Sequence, residues 1–308
     1  ETLTIDVKAF NDTPVLPTNA IKFRTKNGTT LTNTERKATE DQDFEFDLND
    51  LINGVVDPDL VNDSNPTDVL TVQSGNVSAT NGSISYANNK WTFTPDSNFS
   101  GNAQINYLIE DGKGGTIANT ITLVVDPVND RPVRTAGNVG ALNLLEDADI
   151  TSMGFAGVTY SKGGGADETS QTLDIKATTL PATAFGTVYK ADGTTVVNAD
   201  DVLTLAELRG LKFKPSANRS GTANFVFEVT DRGTTNAANA TDKLTLTETL
   251  TIDVKAFNDT PVLPTNAIKF RTKNGTTFTT TERKATEDQD FVFDVDDLIN
   301  GVVDPDLV

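Results

Sequence analysis

Val128-Asn129-Asp130-Arg131-Pro132 is the stretch from which the fold can be read, because its pattern returns as Phe10-Asn11-Asp12-Thr13-Pro14 and as Phe257-Asn258-Asp259-Thr260-Pro261. An apolar residue closes a strand, Asn and Asp offer oxygens as turn acceptors or ligands, and Pro stops the strand from continuing. The three joints lie 118 and 129 residues apart (128 − 10 and 257 − 128). Each interval is the length of one all-β domain with nothing left for a loose tether.

Working outward, residues 1–7 alternate, with Leu3, Ile5 and Val7 on one face, as a half-buried strand does. The same seven residues recur at 248–254. Over residues 1–61 and 248–308 only five positions differ: Leu31/Phe278, Asn33/Thr280, Glu45/Val292, Leu48/Val295 and Asn49/Asp296. The repeat is therefore 247 residues (248 − 1), a two-domain unit. Near-identity at that distance fits a spacer copied many times better than a unique catalytic pocket. The two domains within the unit are also related. At an offset of 120, Phe93-Thr94-Pro95 aligns with Phe213-Lys214-Pro215, Asn98 with Asn218, Ser100-Gly101 with Ser220-Gly221, and Asp111 with Asp231.

Ile105, Tyr107 and Ile109 alternate as Phe225, Phe227 and Val229 do, which places one face of a late strand in each core. Asn27-Gly28, Asn81-Gly82 and Asp192-Gly193 carry hairpin signals, and short helical turns are expected at residues 50–54 and 203–210. The expected fold is all-β: tandem Greek-key β-sandwich domains of the immunoglobulin or cadherin kind, arranged end to end. Residues 13–130 and 131–259 are the two expected sandwiches. Residues 1–12 read as the last strand of a preceding repeat, and 260–308 as the opening part of the next copy of the first domain. Neither end piece can bury its face alone, so both are expected to fray, to pack poorly or to pair with another molecule. The chain starts inside a strand, as a piece of something longer would, with no signal peptide and no apolar run near membrane-spanning length.

Composition narrows the function. Leu, Ile, Val and Phe make up roughly a quarter of the 308 residues, above the level at which chains remain disordered. With 44 acidic against 25 basic residues, the net charge is −19, which argues against nucleic acid and anionic membranes and points to a cation as counterpart. Cys and His are both absent. Disulfides, thiol nucleophiles, imidazole bases and the usual zinc ligands are thereby removed together.

Acidic residues recur at the ends of the expected sandwiches. Glu40-Asp41, Glu146-Asp147 and Glu287-Asp288 follow the joints. Asp57-Pro58-Asp59 and Asp304-Pro305-Asp306 come later, with Asp167 as the second domain's counterpart, and Asp111 and Asp231 end the late strands. With the joint residues Asn11, Asp12, Asn129, Asp130, Asn258 and Asp259, they supply the six to eight oxygens that calcium takes. Single acidic loop residues are ordinarily just solvated or guard sheet edges. Their recurrence decides otherwise, since carboxylates about 5 Å apart repel by roughly 3 kcal/mol per pair at an effective dielectric of about 20. Asp126 is left out because Lys255 holds its place at the next joint.

The order of a Glu-Asp pair, Asp-x-Asp, Phe-x-Pro with Asn-x-Ser-Gly, a strand-ending Asp and Val-Asn-Asp-x-Pro resembles the cadherin-like tandem repeats of giant bacterial surface adhesins of the RTX type. Gly163-Gly164-Gly165-Ala166-Asp167-Glu168 followed by Gln171-Thr172-Leu173 is similar to a signature of that group. The resemblance implies secretion from a Gram-negative cell by a type I system, Ca2+ between domains, and an extender that projects a ligand-binding tip for adhesion or biofilm formation. Partners would be calcium ions and neighbouring repeats of the same chain, with no nucleic acid and no membrane insertion, and with the tip ligand bound elsewhere. The joint is shorter than the Asp-x-Asn-Asp-Asn linker of animal cadherins, and the nonapeptide calcium repeats of RTX proteins are absent from this stretch.

Other readings are weaker. Trp91, Phe93 and Tyr107 could line a sugar site, but their alternation places them in cores. The Gly163–Gly165 run lacks the Lys and helix of a phosphate loop. Paired carboxylates suggest a glycosidase, yet all recur at domain ends, and no enzyme is expected. The alternative function is a glycan- or protein-binding adhesive module, most naturally the second domain, which is longer between its acidic pair and Phe-x-Pro (215 − 146 = 69 against 95 − 40 = 55). Self-association between chains stays open.

Overall fold

The computed structural model describes residues 3, 10–19, 23–24, 31–32, 37–62, 68–237, 239–263, 270–271, 278–279, 293, 295–299 and 301–304. Two compact units divide the chain. One comprises Glu1–Val133, Ser161–Leu173 and Thr230–Thr245, the other Arg134–Tyr160, Asp174–Val229 and Leu246–Val308. The fold is all-β, with few and short helices among the described residues.

In the first unit the apolar alternation of Ala103, Ile105, Tyr107 and Ile109 produces the central strand Gly101–Glu110, which buries every second side chain. It pairs antiparallel with Thr116–Asp126 in a ten-residue register from Thr116↔Glu110 to Val125↔Gly101. Short strands Thr71–Val72 and Ser78–Ala79 pair with its other edge. Lys37–Thr39 joins Thr116–Asp126 in parallel. The second sheet is Phe44–Phe46, Lys90–Pro95 and Gly82–Ala87, all antiparallel. Trp91, Phe93 and Tyr107 are buried in this unit's core, where Trp91 stacks on Phe46 with ring centroids 6.0 Å apart. The buried Tyr107 hydroxyl donates to Leu51 O at 2.8 Å, satisfying a helix-end carbonyl.

The second unit repeats this plan. Ala141–Leu145 pairs in parallel with Thr245–Lys255, which neighbours Gly221–Thr230, then Asp174–Thr179 and Val202–Leu203. Thr151–Ser152, Lys212–Pro215 and Gly186–Tyr189 form the other sheet. Phe155, Phe225 and Phe227 meet in its core, Phe155 at 5.5 Å edge-on to Phe227.

Two local expectations need correction. Asn81-Gly82 is not a hairpin turn: Ser78–Ala79 lies in one sheet and Gly82–Ala87 in the other, so the chain crosses between sheets there. The hairpin is two residues long at Asn88-Asn89, closed by the pair Ala87↔Lys90, with both asparagines at positive φ (52° and 61°). Asn tolerates that region nearly as Gly does, which a search for Asn-Gly alone overlooks. The helical turns begin where capping boxes place them. Asp47 with Asp50 opens Leu48–Leu51, and Thr204 with Glu207 opens Leu205–Arg209. Asp192-Gly193 does turn between Lys190 and Thr195, and Asn27-Gly28 lies outside the described residues.

Gly82 and Gly186 occupy like places over Phe93 and Phe213. A Cβ on Gly82 would stand 2.5 Å from the Phe93 ring and from Thr94 O, and one on Gly186 would overlap the Phe213 ring and approach Lys214 O to 2.7 Å. Gly186→Ala is therefore expected to cost about 1–3 kcal/mol of overpacking, read by chemical denaturation. An unchanged midpoint would mean the ring has room to move.

Of the expected end pieces, the described parts of 260–308 repeat the local structure of 13–61, whereas Leu3 is exposed where its counterpart Leu250 is buried. Val262 and Val303 form the same bridge as Val15 and Val56, and the helix Val295–Ile299 stands where Leu48–Leu51 does at an offset of 247.

Candidate metal centres at the acidic clusters

The two described acidic pairs are positioned by the same two bonds. Glu40 accepts from Val128 N at 3.0 Å, just as Glu146 accepts from Phe257 N at 2.7 Å. Asp41 accepts from Asn98 N and Asp147 from Asn218 N, both at 3.1 Å. Asp41, Asp147, Asn98 and Asn218 all have positive φ, 55–57°, so each pair sits on a left-handed turn that presents its carboxylates at the end of a strand.

The first cluster brings together Asn11, Asp12, Asp57, Asp59 and Asp111, and adds Asp68. One carboxylate oxygen from each of Asp57, Asp59 and Asp68 lies within 4.8 Å of the others. Asp59 Oδ2 accepts from Asp12 N at 2.7 Å, and Asp57 Oδ1 from Asp59 N at 2.9 Å. Asp57 Oδ2 is buried without a donor. Burial, then repulsion from Asp59 and Asp57, pushes the Asp68 carboxyl up. Burial also opposes ionisation of Asp111, but bonds from Lys113 N (2.7 Å), Asn11 Nδ2 (3.0 Å) and Gly115 N (3.0 Å) outweigh it and hold that carboxyl below the usual range.

The second cluster lies within the same unit and joins Glu40, Asp41, Asn129, Asp130, Asp167 and Asp231 with Glu168 and Gln171. Asp130 N donates to Glu168 Oε1 at 2.8 Å, the part Asp59 plays for Asp12. The counterpart of that acid is thus Glu168, one residue beyond Asp167. Asp167 Oδ1 instead accepts from Ser100 Oγ at 3.2 Å. Burial and then repulsion from Asp167, Asp130 and Asp41 raise Glu40, against the Val128 bond. Asp130 is raised by burial, Asp41 and Asp167. Glu168 is pushed up to about 7 by burial first, against the Asp130 bond, and by Asp130, Asp167 and Asp231.

Gly163–Gly165 explains itself here. A Cβ on Gly164 would overlap Asp130 Oδ2, one on Gly165 would overlap Asn98 O, and one on Gly163 would stand 2.7 Å from Asp130 O. The glycines make room for the joint. Asp126, left out on sequence grounds, pairs with Lys37 at 3.2 Å. Asn258 Nδ2 donates to Asp259 O at 3.2 Å, and Asp304 follows the Val303 bridge. Glu287, Asp288 and Asp306 lie outside the described residues.

These residues fit a hard divalent cation. Glu40 Oε1, Asp57 Oδ2, Asp130 Oδ2 and Glu168 Oε2 are buried carboxylate oxygens with no hydrogen-bond donor among the described residues. Leaving such oxygens unpaired costs kilocalories each, and oxygen-only donor sets suit calcium. Sequence reasoning missed Asp68, Glu168 and Gln171 as site members. A shared signal was present, since Asp68 and Gln171 each stand two residues ahead of a Leu that leads into a strand.

Residues 11–126 match the family model of the cadherin-like domain, a class of typically non-enzymatic, extracellular adhesion modules. No curated protein matches the chain. Among solved structures, the chain is similar to protocadherin gammaB7 EC3-6 (16% identity, 83% of this chain and 53% of that one, TM-score 0.36). It is also similar to human mucin-like protocadherin EC1-2 (14%, 72% and 95%, 0.32) and to mouse cadherin-23 EC22-24 (10%, 68% and 58%, 0.32). The chain spans about half the length of the protocadherin gammaB7 chain. Among the described residues, no helix is long and apolar enough to cross a membrane.

Proposed function

We propose that this chain is a calcium-rigidified extender of a large bacterial cell-surface adhesin, exported by a type I system and projecting a ligand-binding tip for adhesion or biofilm formation. The observation that carries the reading is the set of buried, donorless carboxylate oxygens at Glu40, Asp130 and Glu168, gathered beside the joint Asn129-Asp130. Glu40, Asp41, Asp130, Asp167, Glu168 and Asp231 would hold calcium in the second cluster. Asn11, Asp12, Asp57, Asp59, Asp68 and Asp111 would hold it in the first. Glu146, Asp147, Asn258, Asp259, Asp304 and Asp306 would belong to the following joint, and Glu287 and Asp288, which repeat Glu40 and Asp41 at an offset of 247, to the joint after it. Bound calcium supplies the positive charge that lets these oxygens stay ionised while buried.

In this reading the sandwiches are 13–130 and 131–259, flanked by the last strand of a preceding repeat and the opening of the next. Extracellular modules bind calcium at about 0.1–1 mM, so the joints stiffen outside the cell and slacken where free calcium is low. The competing reading, a glycan- or protein-binding second domain, calls for aromatic rings exposed away from the joints, whereas Phe155, Phe213, Phe225 and Phe227 are all buried.

Chelation is the direct test. At 2 mM calcium, ligand linkage predicts about 1–2 kcal/mol of stabilisation per site, visible as a rise in Tm over the chelated protein. X-ray scattering should show a longer, narrower particle with calcium. Identical melting and scattering with calcium and with chelator would overturn the proposal.

A further inference from the structure

The two clusters of the first unit carry different side chains at one matching position. Asp68 stands four residues ahead of buried Val72 and two ahead of Leu70; Gln171 stands four ahead of buried Ile175 and two ahead of Leu173. A carboxylate in one cluster is thus matched by a neutral amide in the other.

The orientation of that amide is fixed by its neighbours. Asn129 Nδ2 donates to the backbone carbonyl of Asp242 at 2.9 Å, which leaves Asn129 Oδ1 as an acceptor. Gln171 Nε2 donates to that Oδ1 at 2.8 Å and to Glu168 Oε1 at 3.2 Å. A carbonyl that can only accept therefore sets the direction of a chain of two amides. The Gln171 oxygen is what remains. It belongs to a side chain 2% exposed, it is buried, and it has no donor among the described residues. An amide oxygen is a good ligand for a hard cation and carries no charge.

We propose that Gln171 Oε1 is a neutral oxygen ligand for the divalent cation of the second cluster. The inference rests on the calcium reading above and names a ligand within it. Calcium affinity in oxygen sites follows the number of charged ligands.

The test is calorimetric calcium titration of the whole chain, with terbium luminescence lifetimes in H2O and D2O to count waters on the bound ion. Asp57→Asn with Asp59→Asn silences the first cluster, so the remaining signal comes from the others. In that background Gln171→Leu should weaken calcium by about tenfold and raise the terbium water count by about one, because a ligand position opens. Gln171→Glu keeps an oxygen and adds charge, so it should tighten calcium while lowering the stability of the calcium-free protein, which loses both donated bonds. A purely structural glutamine would give the opposite sign, since Gln171→Glu would then weaken calcium along with stability. Unchanged affinity and water count in Gln171→Leu, or weaker binding in Gln171→Glu, overturns the assignment of this ligand alone. Absence of any calcium or terbium binding by the unsubstituted chain overturns the calcium reading with it.

Discussion

Without divalent cations, the melting temperature should fall as pH rises from 5 to 8. Glu168 sits at about 7 when folded, raised by burial and then by Asp130, Asp167 and Asp231, against 4.5 as its ordinary value. Between those values the folded protein holds a proton that the unfolded chain has released, so stability drops as pH climbs. The full span is at most about 3 kcal/mol. Glu40 and Asp130 are raised by burial and by their acidic neighbours, and act in the same direction. Asp111 and Asp242 are lowered, so they change stability only below the normal Asp value of 3.8, outside this window.

Millimolar calcium should reverse the trend. The cation takes the ionised carboxylates and competes with protons, so the stabilisation by calcium is greatest at pH 8 and small at pH 5. Glu168→Gln should flatten the cation-free profile. A cation-free melting temperature that is level or rising across this range would show that the carboxylates are not repelling one another in the folded state.

Phe227→Ala is expected to remove about 3–5 kcal/mol from the unfolding free energy. Phe227 is fully buried on the strand Gly221–Thr230 and touches Phe155 and Phe225 at 5.5 and 5.8 Å. Truncation deletes the transfer free energy of a ring and leaves a cavity that the fixed register of the neighbouring strands cannot close. Phe227→Leu should lose less, because it refills part of the space. Denaturant unfolding in saturating calcium measures both. A loss under about 1 kcal/mol for the alanine variant would mean that this core can collapse around the gap.

Much of the architecture was legible along the chain. Alternation at Ile105-x-Tyr107-x-Ile109 and Phe225-x-Phe227-x-Val229 marks strands because side chains on a pleated strand point alternately to opposite faces. The hairpin at Asn88-Asn89 was not legible from Asn-Gly pairs, because asparagine enters the left-handed region without a glycine beside it. The site was only partly legible. Asp57, Asp59 and Asp111 stand out as recurrent acids, but Glu168 is one residue from the position expected of its counterpart, Asp167. Gln171 carries no charge to draw attention.

Sequence alone determined the class of fold, its reuse within a 247-residue repeat and the surplus of acid at the joints, since these follow from spacing and residue type. Which oxygens are buried, and which lack a donor, was decided by tertiary structure. Glu40 meets Val128 across 88 positions, Asp130 meets Glu168 across 38 and Asn129 meets Asp242 across 113. Only strand pairing over such distances closes those gaps, and desolvation, which makes a carboxylate want a cation, exists only once they are closed.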